Sequence, residues 1–399
     1  MSTATEDTPS VVIPTGVAPY SYPCLRSLSR RGIHTVAASE HDHVPAFASR
    51  FCDETVSLPD PEENLLAYKD ALLRLAERRD VGTVIPIREY DAYVLSRYRE
   101  EFADRLAVEV PEIDTLARVH DRVKLAEAAE AAGVPVPETR TLDEIADWDG
   151  EYIVKSRYNL LADEYVDTHS PSQAEEVNDV THNRPGEIPD RDQLVAEMRH
   201  VPIVQEFVPY DEEYMFAALY DRGEAVATFQ HHQIRGNSYT GGGGVYRESM
   251  YDPELERVAT DLLDELDWHG LACIEYMEHA DTGEYVLTEI NPRMWQSLPS
   301  TVWAGADFPH YYWLQSQGRT DEIDPDFDLG VGSHLLYGEL GYLASVLSDE
   351  SPFVERPSLA WTALEICESV CRQPRFDFLR LDDPRPFVHG VLRTLPIGR

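Results

Sequence analysis

One stretch, Gly270–Arg293 (GLACIEYMEHADTGEYVLTEINPR), constrains the fold more than any other. It reads as two short strands and a turn. Leu271–Met277 is apolar apart from Glu275, and Tyr285–Asn291 is apolar or β-branched apart from Glu289 and Asn291. His279–Gly283 supplies turn chemistry, and Pro292, which cannot donate to a ladder, ends the second strand. Side chains alternate along a strand, so Leu287, Glu289 and Asn291 are expected on one face. With the hairpin centred near Asp281, Glu275 is expected opposite Leu287, with Glu289 its diagonal neighbour at roughly 7–8 Å. Two carboxylates and an amide oxygen then converge on one point, where burying them unpaired would be costly. Hard oxygen donors so arranged suit Mg²⁺, which keeps waters and substrate phosphates in its remaining positions. A solvated edge hairpin is the plainer alternative in a chain so rich in acids.

That richness is itself informative. Asp and Glu number 73 against 34 Lys and Arg, a formal charge of −39 over 399 residues. Such a surface repels nucleic acid and anionic membranes, so neither is an expected partner. The acids are spread along the whole chain, as in proteins adapted to very high salt, where ions screen the self-repulsion. Lysine is nearly abandoned: Lys69, Lys124 and Lys155 are the only three. A position that keeps it is a candidate for needing a compact ammonium. The five cysteines (Cys24, Cys52, Cys273, Cys367 and Cys371) form no C-x-x-C pair. With no signal peptide or long apolar run, they point to a reduced, cytoplasmic protein.

Glu275 followed by Glu289-Ile-Asn-Pro-Arg293 resembles the metal-binding signature of the ATP-grasp superfamily. The resemblance implies that Glu275, Glu289 and Asn291 hold one or two Mg²⁺ ions (Mn²⁺ able to substitute) on ATP phosphates. It also implies that Arg293 stabilises the transferring phosphoryl group. D-R-V-K with A-G-V-P-V-P-E-T (Asp121–Thr139) is similar to the family's entry into its ATP-binding lobe. Lys124 there, and Lys155 at the end of the strand Tyr152–Lys155, are then the phosphate-contacting lysines. Q-E-F-V resembles the adenine hinge: the backbone of Phe207 and Val208 reads the adenine edge, Glu206 lies beside its amino group, and Glu213 holds the ribose, with Glu212 competing. One departure stands out. The family's glycine-rich flap has no counterpart, since Ser156–His200 contains only Gly186, leaving Arg157 and Asn159 to substitute.

Elsewhere the pattern is alternating. Ser10–Ile13, His34–Ala38, Thr55–Leu58 and Thr83–Ile87 read as strands separated by helices, one ending at Gly32 and one opened by Asp60-Pro61. That predicts a doubly wound parallel sheet, similar to the Rossmann-like domain that precedes the ATP-grasp lobes. Gly16 and Glu89 in its loops are candidates for contacting the second substrate. Arg235-Gly-Asn-Ser-Tyr-Thr-Gly-Gly-Gly-Gly244 reads either as a flexible turn or as a backbone anion cradle. Arg235 and Arg247 are candidates for gripping a substrate carboxylate; Trp295 and Gln296 are candidates for lining the pocket, with packing the plainer role for Trp295. Asp252–Trp268 is an amphipathic helix.

The expected architecture is therefore α/β, with an α+β catalytic part. Residues 1–9 are a disordered start and 10–119 the pre-ATP-grasp domain. Residues 120–205 form the small lobe with its flap, 206–320 the metal-binding lobe, and 321–399 a helical extension for packing or homodimer formation. The implied function is an ADP-forming carboxylate–amine ligase acting on small molecules through an acyl phosphate. A small-molecule kinase and a non-catalytic nucleotide-binding protein are the alternatives.

Overall fold

Short apolar runs alternating with amphipathic helices build a parallel sheet at the N-terminus. In the computed structural model, which describes residues 9–177, 180–351 and 354–394, the strands are β1 (Ser10–Pro14), β2 (Thr35–Ser39), β3 (Glu54–Ser57) and β4 (Val81–Val84). Their order is β3-β2-β1-β4, all parallel. Period-two alternation sends Val11 and Ile13 to one face, with Cys24, Leu25 and Leu28 of the helix Ser21–Ser29. Val12 goes to the other, with Leu65, Tyr68 and Leu72 of the helix Leu65–Ala76. Helices on both faces explain why these strands read as unbroken apolar runs. Of the expected disordered start, residues 1–8 lie outside the described residues.

The next strands are β5 (Thr139–Thr141), β6 (Tyr152–Lys155), β7 (Leu161–Ala162), β8 (Ala174–Glu175), β9 (Val180–Asn183) and β10 (Ile203–Glu206). Four of them form an antiparallel sheet ordered β5-β10-β6-β9, while β7 and β8 pair separately. The polar stretch 167–192 contains β8 and β9, and β9 pairs with the lysine strand β6.

The third sheet is the largest: β11 (Tyr210–Asp221), β12 (Glu224–Ser238), β13 (Gly241–Met250), β14 (Gly270–His279), β15 (Tyr285–Asn291) and β16 (Gly332–His334). Its order is β15-β14-β11-β12-β13-β16, antiparallel throughout. The helix Pro253–Glu265, capped by Asp252, buries Leu255, Val258 and Leu262 against Phe216, Ile274 and Tyr276. The glycine run expected as a loop is the start of β13 instead. Gly243 and Gly244 leave room for the side chains of Gln296 and Gln233, which an added Cβ would meet at 2.6 and 2.5 Å. The C-terminal part is woven into this sheet through β16, then continues as the helices Leu336–Ser348, Leu359–Arg372 and Arg385–Thr394.

Candidate active site

The hairpin β14–β15 forms with one change of register. Glu275 faces Glu289 directly, but the next pair is Tyr276 with Leu287. Thr288 is thus an extra residue in β15, a β-bulge, and its Oγ1 donates to the Glu275 carbonyl at 2.8 Å. The predicted face is corrected by this bulge. Leu287 packs into the core with Ile290, whereas Glu289, directly opposite Glu275, is hydrogen-bonded to Asn291 outside that core cluster. The acids are closer partners than the diagonal placement expected.

Crowding at the base of the cleft, then the like charges of Glu289 and Glu213, push the Glu275 carboxyl well above its ordinary value. A cation between the acids would relieve that repulsion. Asn291, the third predicted ligand, donates its amide N–H to Glu289 Oε1 at 2.8 Å and presents its oxygen to Arg293 Nη2 at 3.2 Å. Among the described residues no group of three or more His, Cys, Asp or Glu is gathered as a metal cage. Two opposed carboxylates fit an ion that takes its other ligands from water and phosphate, as Mg²⁺ does.

Lys155, at the end of β6, reaches this cluster. Burial, then the charge of Arg122, lower its pKa to about 7, while Glu289 and Glu275 pull the other way. Lys124 does not reach it: it is exposed on the helix Arg122–Ala131. Two residues earlier, about half a turn around the helix, Arg122 points inward. Its Nη2 lies 3.5 Å from Glu289 Oε2, its Nη1 donates to the Ser156 carbonyl at 3.0 Å, and its Nε is buried without a partner. Sequence reasoning followed the scarce lysine and passed over the arginine. The signal was the N-cap: Asp121 accepts from Val123 N–H, which fixes the phase of the helix.

Arg293 leads to a second chamber. Its Nε is 2.6 Å from Glu89 Oε1, and Glu89 also meets His120 Nε2 at 3.1 Å. Burial opposes the Glu89 charge, but Arg293 and His120 outweigh it and hold the carboxyl below its ordinary range. Arg293 borders a cleft of about 460 Å³ with Tyr20, Glu40, Arg88, Tyr90 and Glu176. Gly16, at φ +48°, makes room for Arg88: a Cβ there would meet Arg88 Nη1 at 2.7 Å. Glu176, which no motif singles out, has its carboxyl pushed up to about 7, by burial first and the charge of Glu89 second.

On the other side lies the hinge. Glu206 is exposed at the end of β10. The Phe207 N–H is donated to the Glu151 carbonyl at 2.9 Å, so that donor is already committed. Val208 is buried. A cleft of about 420 Å³ runs from Phe207 past Tyr210 to Glu213 and Gln233. A narrow continuation of about 60 Å³ carries on from these two to Glu275. Gln233 Nε2 donates to Glu213 Oε2 at 2.5 Å, and burial raises the Glu213 carboxyl. The two clefts share Glu213 and Gln233 and so connect Phe207 to Glu275.

Two predicted carboxylate grips are occupied within the protein. Arg235 Nη1 contacts both oxygens of Glu339, at 2.9 and 2.8 Å, under Tyr246 and Tyr342. Arg247 is fully buried, 2.6 Å from Asp377 Oδ2. Both pairings tie β12 and β13 to the C-terminal part, and Glu339 and Asp377 lie too far along the chain to be foreseen. Trp295 is core, donating Nε1–H to Thr301 at 3.2 Å.

Solved structures share this fold. The ADP complex of purK, N5-carboxyaminoimidazole ribonucleotide synthetase, superposes with TM-score 0.60 at 15% identity, over 92% of this chain and 99% of that one. The fold is that of the ATP-grasp enzymes. The L-amino acid ligase from Bacillus licheniformis shares the fold at TM-score 0.56 and 15% identity, over 80% and 78%. Rhizobium etli pyruvate carboxylase matches at TM-score 0.58 and 16% identity, over 81% of this chain, which spans only 29% of that one. No protein-family model matches the sequence, and no curated protein matches it.

Proposed function

We propose that this ATP-grasp chain is an ATP-dependent ligase that joins a small carboxylate to an amine, releasing ADP and phosphate. The observation that carries it is the opposed pair Glu275–Glu289, flanked by Lys155 and Arg122, where the nucleotide groove meets the Arg293 cleft. The synthetase and ligase activities of purK and of the L-amino acid ligase support the class. Glu275 and Glu289, steadied by Asn291, would hold Mg²⁺, with Mn²⁺ able to substitute. When bound, that ion supplies charge neutralisation at the phosphate oxygens.

The chain's own residues do the rest. Phe207 and Val208, with Glu206, border the adenine, and Glu213 accepts from the ribose hydroxyls. Lys155, whose pKa is lowered to about 7, is held protonated beside the phosphates, and Arg122 adds a fixed charge. A substrate carboxylate oxygen bonds to the γ-phosphorus while the β,γ-bridging P–O bond breaks and its electron pair leaves with ADP. Arg293, held by Glu89, faces the oxygen charge that develops. The amine then gives a proton to Glu176, its nitrogen bonds to the acyl carbon, and the C–O bond to phosphate breaks. Positioning and fixed charge carry this chemistry.

A screen of acid and amine pairs for ADP release in molar KCl tests the reading. Release is expected only with Mg²⁺, an acid and an amine together. Hydroxylamine in place of the amine should trap a hydroxamate, whereas a stable phosphoester would show a kinase instead. ATP binding without substrate-stimulated ADP release would leave only a nucleotide-binding protein.

A further inference from the structure

A second charged cavity lies apart from the groove, where three parts of the chain meet. It has a volume of about 250 Å³. The helix Ser21–Ser29 and the residues after it contribute Arg26, Arg30 and Arg31, the helix Leu298–Trp303 contributes Trp303, and the C-terminal part contributes Arg380. Four arginines around one small cavity run against the composition of a chain with net charge −39. The two carboxylates on its wall are spoken for. Asp307 is held by Arg31 at 2.8 Å and by Ser27, and Asp377 by Arg247 at 2.6 Å and Ser333 at 2.9 Å. Arg26 and Arg30 share a single acid, Asp382, at 2.8 and 3.6 Å.

Arg380 is the odd one out. Its guanidinium lies 3.6 Å over the Trp303 ring. Among the described residues it has no ion pair, and its Nε is buried without a hydrogen-bond partner. Arg380 is half-buried with only an aromatic face as partner, and a counter-charge would offset the cost of keeping a desolvated cation there. Guanidinium forks match the planar, multi-oxygen geometry of carboxylates and phosphates. We propose that this cavity binds a small oxyanion, a phosphate or a carboxylate group, gripped by Arg380 with help from Arg26 and Arg30. Burial, and then the like charge of Arg26, lower the Arg380 pKa to about 10, which agrees with an uncompensated positive potential. Such a ligand would clasp the C-terminal part to the N-terminal domain, a role independent of the ligase reading.

Calorimetric titration of the full chain in KCl at constant ionic strength tests this, with inorganic phosphate in one arm and acetate in the other. Saturating Mg²⁺ and ADP keep the nucleotide groove filled. One saturable site is expected for at least one anion, accompanied by a change in tryptophan fluorescence that Trp303→Phe removes. The arm that binds identifies the anion class. Arg380→Gln should weaken binding tenfold or more. Arg30→Gln, at an exposed position that folding does not need, should weaken it severalfold and decides the matter if Arg380→Gln fails to fold. No saturable binding in either arm, or wild-type affinity in both variants, would overturn the proposal.

Discussion

Glu289 is the residue on which the proposed chemistry most depends, because it touches Asn291 and Arg122 and faces Glu275. Glu289→Ala should reduce ADP formation by about a hundred- to a thousandfold, in the range seen when a principal charge-stabilising group is removed. Turnover at the wild-type rate would refute the metal assignment. Glu176 makes a prediction about pH. As a base it must be ionised, so the rate with the amine should climb as pH rises through about 7, and Glu176→Gln should lose that limb. The same group affects stability. Its folded pKa is raised, so between its ordinary 4.5 and about 7 the folded protein keeps a proton that the unfolded chain has released. Its contribution is complete at low pH and is lost as pH rises through 7. Melting curves of Glu176→Gln and wild type should therefore separate in favour of the variant between pH 5 and 8.

At the scale of elements, the bulge and the left-handed glycine each set the position of a charged group. Thr288→Val keeps a β-branched strand former but deletes the hydrogen bond to the Glu275 carbonyl. The expected loss is about 1 kcal/mol in a denaturant melt, with severalfold weaker Mg²⁺-dependent ADP binding by calorimetry. Gly16→Ala strains a backbone at φ +48° and crowds Arg88. It should cost about 1 kcal/mol or more and raise KM for the second substrate more than it lowers kcat; an unchanged KM would remove Arg88 from that cleft. The helix phase at Asp121 belongs to this scale as well, since it turns Arg122 inward and Lys124 out.

For the whole molecule, the charge of −39 governs behaviour in salt. Many exposed ion pairs, such as Arg257–Glu254 and Arg319–Glu322, contribute little each, while the excess acids repel throughout. Lowering KCl from molar to about 0.1 M lengthens the screening distance from about 3 to about 10 Å. The melting temperature should fall with it, and recover on returning the salt. The C-terminal part shares in this cooperativity through two buried pairs, Arg235–Glu339 and Arg247–Asp377. Among the described residues no helix is long and apolar enough to cross a membrane.

Period-two and helical patterning in the sequence determined much of this protein: the parallel sheet, the strand that ends in Lys155 and the acidic hairpin. Each of these rests on local chemistry that neighbouring residues carry by themselves. Tertiary structure alone decided what depended on distant partners. A single inserted residue, Thr288, moved Leu287 to the opposite side from Glu289, because register is fixed by the partner strand. Arg235 and Arg247 lost their expected ligand role to Glu339 and Asp377, roughly a hundred residues away. Arg122 and Glu176 enter the proposed site because packing against other parts of the chain sets which charges are buried together, and no spacing along one chain encodes that.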